Sequence, residues 1–166
     1  MTERGSDPTF DEALLLIGRM NYTWTNTESL LVHIIAGLAR TDKDTAVILF
    51  LTLNTMRARV DLVERLAKLD RTPTAKRKRI LAATRKLVQL SAPRNRYNHS
   101  IYAFDPESGQ VRTILMRIAD RKDDIRMGQS TDLDATAIEE IRGVISDLGT
   151  LNREFWSIVR DFDFPT

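Results

Sequence analysis

Residues 7–38 read DPTFDEALLLIGRMNYTWTNTESLLVHIIAGL, and this run decides the fold class. Asp7 followed by Pro8 is a helix-start signal. An aspartate there can accept from the first unpaired backbone N–H groups, and proline suits the first helical position, where no donor is needed. Beyond it Phe10, Leu14, Ile17, Trp24, Leu31, Ile35 and Leu38 recur in steps of three and four, the spacing that lines one face of a helix. Asn21 and Glu28 complete the same series, so a polar and an acidic side chain fall on the face expected to be buried. Gly18 and Gly37 weaken the helix locally without ending it.

A second helix is predicted from Asp42 or Asp44 to about Leu69, with Ala46, Leu49, Leu53, Met56, Val60, Val63 and Ala67 facing inward. A third opens at Thr72-Pro73, again cap then proline, and carries Ile80, Leu81, Thr84, Leu87, Val88 and Leu90. Pro93 should kink it, or restart it with Ser91 or Ala92 as a cap. After Ser100 the period changes: Ile-Tyr-Ala-Phe and Gln-Val-Arg-Thr-Ile-Leu-Met-Arg read as two strands around the turn Asp105–Gly109. Residues 119–131 are polar and without period, and read as a loop. A last helix is predicted from about Asp132 to Phe162, with Ile138, Ile141, Ile145, Leu148, Phe155, Ile158 and Phe162 inward. The expected fold is therefore all-α: a four-helix up-and-down bundle with a small β-hairpin between the third and last long helices. It occupies one domain, 1–166, with residues 1–6 disordered.

A chain of 166 residues suits a single core. It has no cysteine, which removes disulfides, thiolate metal sites and thiol catalysis. The opening residues hold no apolar run of the kind a secretory leader needs, and Leu30–Ala39 is too short to span a bilayer. A cytoplasmic protein without membrane contact is expected. Net charge is only +2, but nine lysines and arginines fall between Arg71 and Phe104 without one acid. From Gln129 onward eight acids face three arginines. Such a basic stretch is either a solvated helix face or a contact surface for a polyanion.

Glycine-rich phosphate loops, paired zinc histidines and a serine nucleophile elbow are missing from the sequence. The chemistry concentrates in Arg94-Asn95-Arg96-Tyr97-Asn98-His99-Ser100. On a helix, ~100° per residue puts Arg94, Asn95, Asn98 and His99 within a ~140° arc. A titrating imidazole beside a permanent cation and two amides suits acid–base work on a phosphodiester. The histidine moves a proton, the arginine offsets phosphorane charge, and the amides orient the substrate.

Arg-Asn-Arg-Tyr-Asn-His resembles the signature of the HEPN superfamily, an arginine commonly followed by asparagine and then a histidine after four to six residues. A long first helix carrying an acid, here Glu28, a motif near the end of a later helix, and a small hairpin after the histidine extend the resemblance to most of the chain. It implies an all-α bundle and a metal-independent endoribonuclease without cofactors, of toxin–antitoxin or defence type. Arg94 and His99 would be the catalytic pair, with Asn95, Asn98 and Glu28 orienting the site. Glu28 has a structural alternative, pairing with Arg57, Arg59 or Arg94. The family's habit of dimerising implies a homodimer with two motifs facing one scissile phosphate. Attack by the ribose 2′-hydroxyl would then leave a cyclic phosphate and a free 5′-hydroxyl. Lys76, Arg77, Lys78, Arg79, Arg85, Lys86 and Arg96 are the residues expected to meet the RNA backbone. Tyr97 and Tyr102 suit either base stacking or packing of the hairpin. A competing expectation is a non-catalytic homodimeric helical module that binds a protein partner or regulator.

Overall fold

A computed structural model of the protein describes residues 8–105 and 107–166. The chain is mostly helical, with one small antiparallel sheet. In order it forms α1 (Pro8–Ser29), α2 (Leu31–Ala39), α3 (Lys43–Thr52), α4 (Met56–Ala67), α5 (Thr74–Asn98), β1 (Ser100–Phe104), β2 (Val111–Arg121), β3 (Asp124–Asp132) and α6 (Ala135–Asp161). The expected disorder of residues 1–6 and the Asp7 cap lie outside the described residues. Among the described residues no helix is long and apolar enough to cross a membrane.

The chain divides into two compact units. The first takes the residues up to Asn21 together with Ser91–Ile145. Its buried apolar residues include Ala13, Leu16, Met20, Tyr97, Leu133, Ile138 and Ile141. Here the inward face of α1 is Ala13, Leu16 and Met20, one residue out of phase with the predicted Leu14 and Ile17. Leu14 and Leu15 are exposed instead. The larger leucines suggested the wrong stripe, and Asn21 consequently sits at the edge of the buried face, only partly covered.

In the same unit the sheet has three strands rather than the two of a hairpin, in the order β1-β2-β3 with both pairings antiparallel. The Asp105–Gly109 turn forms as expected around its aspartate. Asp105 Oδ1 accepts from Glu107 N at 2.9 Å, and Gly109, at φ +70°, donates to the Asp105 carbonyl. The segment read as a loop is the end of β2, a two-residue turn and β3. Its register runs Arg112↔Asp132 to Arg121↔Asp124, interrupted between Leu115 and Ile118. These strands lacked alternating hydrophobicity because most of their described side chains face water on both sides.

The second unit is Tyr22–Leu90 with Ser146–Thr166. Trp24, Leu31, Ile34, Ile35, Val60, Val63, Ile80, Leu87, Leu148, Phe155 and Ile158 are buried there. The predicted second helix is broken at Leu53–Thr55. Arg59 holds the break: its Nε donates to the carbonyls of Phe50 and Leu53, each at 3.0 Å, at the end of α3 where carbonyls lack helical partners. Its guanidinium carbon lies 4.0 Å over the Phe50 ring. Thr55 then caps α4, its Oγ1 accepting from Ala58 N at 3.1 Å. The start of α3 matches expectation, with Asp42 Oδ1 accepting from Thr45 N at 2.8 Å. At the other end of the chain Phe164 is buried against Gly37, where an added Cβ would stand 2.0 Å from the ring. That glycine is required by packing, not by backbone angle.

Candidate functional site

Pro93 neither ends nor restarts α5, which runs unbroken from Thr74 to Asn98. The motif therefore occupies the last turn of a helix. His99 N still donates to the Asn95 carbonyl at 3.0 Å, and the His99 carbonyl accepts from Met116 N at 3.1 Å, passing the chain directly into the sheet.

Arg94, half-buried, is held from two sides. Its Nε donates to Asn21 Oδ1 at 3.1 Å, and its Nη1 to Asn95 Oδ1 at 3.0 Å. Asn21 in turn donates to the Ile17 carbonyl at 3.1 Å and to Asn98 Oδ1 at 2.6 Å. With the Asn98 amide turned over, its oxygen accepts from Arg94 Nε at 3.0 Å and Nη2 at 2.9 Å, and its nitrogen donates to Asn21 Oδ1 at 3.0 Å. Either orientation ties Arg94, Asn21 and Asn98 into one polar cluster. Asn95, Asn98 and His99 are exposed. Asn21 is the site residue that the motif alone misses. Its signal in the sequence is a polar side chain in phase with an apolar stripe.

In the same helical turn Tyr97 is only 3% exposed. Its hydroxyl donates to Glu140 Oε2 at 2.8 Å and accepts from Arg96 Nη2 at 2.9 Å, while Arg96 also pairs directly with Glu140. Burial foremost, then donation to a carboxylate, pushes the Tyr97 hydroxyl up to about 12, against the opposing pull of the guanidinium. The Tyr102 hydroxyl donates to the Tyr97 carbonyl at 3.0 Å, and burial raises its pKa as well. Both tyrosines thus anchor the turn from helix to sheet.

The residues expected to meet RNA divide into two groups. Arg79 donates to Glu154 at 2.6 Å, to Asp161 at 2.5 Å and to Ser157 at 2.6 Å. Lys86 pairs with Asp147 at 2.8 Å, and Arg96 with Glu140. Every one of those partners lies on α6, so part of the basic stretch is neutralised by the acids that follow it in sequence. Lys76 lies 4.6 Å from the centre of the Phe162 ring, and Arg77 donates to Thr74 Oγ1 at 3.4 Å. Lys78 and Arg85 are exposed.

Glu28 is occupied within the second unit. Its Oε1 accepts from Arg59 Nη1 at 2.8 Å and its Oε2 from Trp24 Nε1 at 2.9 Å. Of the three arginines weighed as partners, Arg59 is the one it meets, while Arg57 pairs with Asp61. This fixes Glu28 in the bracing of the α3–α4 break. Compared with protein-family models, curated proteins and solved structures, the chain matches none.

Proposed function

We propose that the end of α5 is the active site of a metal-independent endoribonuclease of HEPN type, working as a homodimer in the cytoplasm as a toxin or defence effector. The reading takes the long helices as a four-helix up-and-down bundle. What supports it is one arrangement: an exposed His99 directly after a helical turn whose Arg94 is oriented by Asn21 and Asn95, with the Asn98 amide beside it. A preoriented cation needs no rearrangement when charge develops on phosphate.

His99 removes the proton from a ribose 2′-hydroxyl, whose oxygen attacks the neighbouring phosphorus. Arg94 offsets the added negative charge. The bond to the 5′-oxygen breaks, that oxygen takes up a proton, and a 2′,3′-cyclic phosphate remains. Asn95 and Asn98 orient the substrate, and the exposed Lys78 and Arg85 draw in its backbone with Lys76 and Arg77. In a homodimer the facing copy's histidine supplies the leaving-group proton.

The test is incubation of the parent protein, Arg94→Ala and His99→Ala with a labelled structured RNA in EDTA. Cleavage by the parent alone, with cyclic-phosphate ends, is expected. Cleavage that survives either substitution would remove that residue from the site. The second reading, a non-catalytic module that binds a protein regulator, draws support from the pairing of Arg79, Lys86 and Arg96 with acids. An intact RNA in all three reactions would favour it.

A further inference from the structure

The start of α5 lines a small cavity of the second unit, about 80 Å³ in volume. That is room for two or three waters at ~30 Å³ each, or for one tetrahedral oxyanion. Arg40, Arg71 and Lys76 line it, and no acid does. Among the described residues none of the three has an ion-pair partner, whereas Arg79, Lys86 and Arg96 further along α5 are all paired. Arg71 Nη2 donates to the Leu38 carbonyl at 3.0 Å, which leaves its other N–H groups to spare. Lys76 Nζ lies 4.6 Å from the centre of the Phe162 ring and 5.1 Å from that of Phe164, a wall of the cavity. Arg40 ends α2 at φ +57°, a left-handed conformation usually given to glycine.

Thr72 is the strongest pointer to a ligand. It lines the cavity and is only 7% exposed, and its hydroxyl has no hydrogen-bond partner among the described residues. No fully enclosed side-chain polar atom of those residues is left unpaired, so the Thr72 hydroxyl opens on the cavity. It does not cap α5, and in the first turn the N–H groups of Ala75 and Lys76 find no backbone acceptor among the described residues. The carbonyls at the end of α2, which would repel an anion, are occupied. Ala36 accepts from Thr41 N, Gly37 from Arg40 N and Leu38 from Arg71.

We infer that this cavity binds a phosphate dianion, free or as the terminal group of a phosphate monoester. The Thr72 hydroxyl and the open helix start supply neutral donors, and the three cations supply charge. A carboxylate or a phosphodiester carries one negative charge and leaves two cations unmatched, whereas a dianion offsets most of the excess. The inference goes beyond the nuclease reading, because no residue of the motif lines the cavity. Lys76 alone is shared with the cations assigned above to the RNA backbone, and a phosphodiester probe separates the two roles.

The test is titration of the full ¹⁵N-labelled chain with inorganic phosphate at pH 8 and constant ionic strength, read from amide shifts. Saturable shifts at Ala75 and Lys76 are expected below about 10 mM, with dimethyl phosphate at least about tenfold weaker. Ribose 5-phosphate identifies the source: tighter binding than inorganic phosphate assigns the site to a monoester, weaker binding to the free anion. Arg40→Gly removes a cation at a backbone position that suits glycine, so the fold is kept while affinity falls about tenfold. Thr72→Val keeps the side-chain shape and should cost about fivefold. Arg117→Gln, at an exposed cation on β2, controls for net charge and should leave affinity unchanged. Cleavage plays no part in this readout, so an inactive nuclease would not alter it. Absence of saturable shifts at Ala75 and Lys76 would overturn the inference. So would dimethyl phosphate binding as tightly as phosphate, or Arg117→Gln weakening it as much as Arg40→Gly.

Discussion

Asn21 and Tyr97 show how single side chains hold the motif. Asn21 divides its amide between the Ile17 carbonyl and Asn98, and turns its oxygen to Arg94, so the guanidinium is held in one direction. Tyr97 joins Arg96, Glu140 and, through its carbonyl, Tyr102. Its hydroxyl, pushed up to about 12, sets a pH dependence. An unfolded tyrosine ionises near 10, so the folded state holds this proton more tightly. The stabilisation is complete below pH ~10 and is lost as pH climbs from about 10 towards 12. Urea unfolding at pH 9 to 11.5 should therefore show a decline that Tyr97→Phe reduces. At neutral pH the same variant should be less stable by ~1 kcal/mol, the usual worth of a buried hydrogen bond. A decline of the same steepness in both proteins would mean that another group controls it.

At the scale of the element, caps and periodicity made α3, α5 and α6 legible, since Asp42, Thr72-Pro73 and Asp132 all mark starts near those observed. The break between α3 and α4 was not legible because Leu49, Leu53, Met56 and Val60 keep helical phase straight through it. What stops α3 is tertiary: Arg59, itself braced by Glu28, takes the carbonyls that a continuing helix would have used. β3 was hidden for the opposite reason, as a strand exposed on both faces leaves no alternation to read. Within the site, Arg94, Asn95, Asn98 and His99 were visible as a cluster. Asn21 was visible only as an anomaly, and Glu140 carried no local signal at all.

Pro93 offers a prediction at this scale. A proline inside a helix removes one backbone donor and crowds the preceding turn, yet α5 continues through it. Pro93→Ala restores the N–H and should raise stability by about 1–3 kcal/mol, read from the urea midpoint at unchanged slope. If the proline sets the angle at which Arg94 meets Asn21, cleavage should fall in the same variant, a gain in stability at the cost of the site. Unchanged stability would mean that the turn before Pro93 has already relaxed around it.

For the molecule as a whole, charge counted along the sequence and charge offered to a polyanion are different quantities. The acid-free stretch Arg71–Phe104 suggested a broad basic surface, but Glu140, Asp147, Glu154 and Asp161 of α6 take up Arg96, Lys86 and Arg79. Such half-exposed pairs contribute little to folding, on the order of 0–1 kcal/mol each, but they withhold cations from phosphate. Binding of a single-stranded, 2′-deoxy-blocked RNA should then weaken with salt at a logarithmic slope of about −3.5, from Lys76, Arg77, Lys78, Arg85 and Arg94, rather than about −5.6 with Arg79, Lys86 and Arg96 engaged as well. Asp147→Asn, which releases Lys86, should steepen the slope by about 0.7. A parent slope already about −5.6, unmoved by Asp147→Asn, would show instead that RNA competes successfully for these cations and opens the ion pairs on binding.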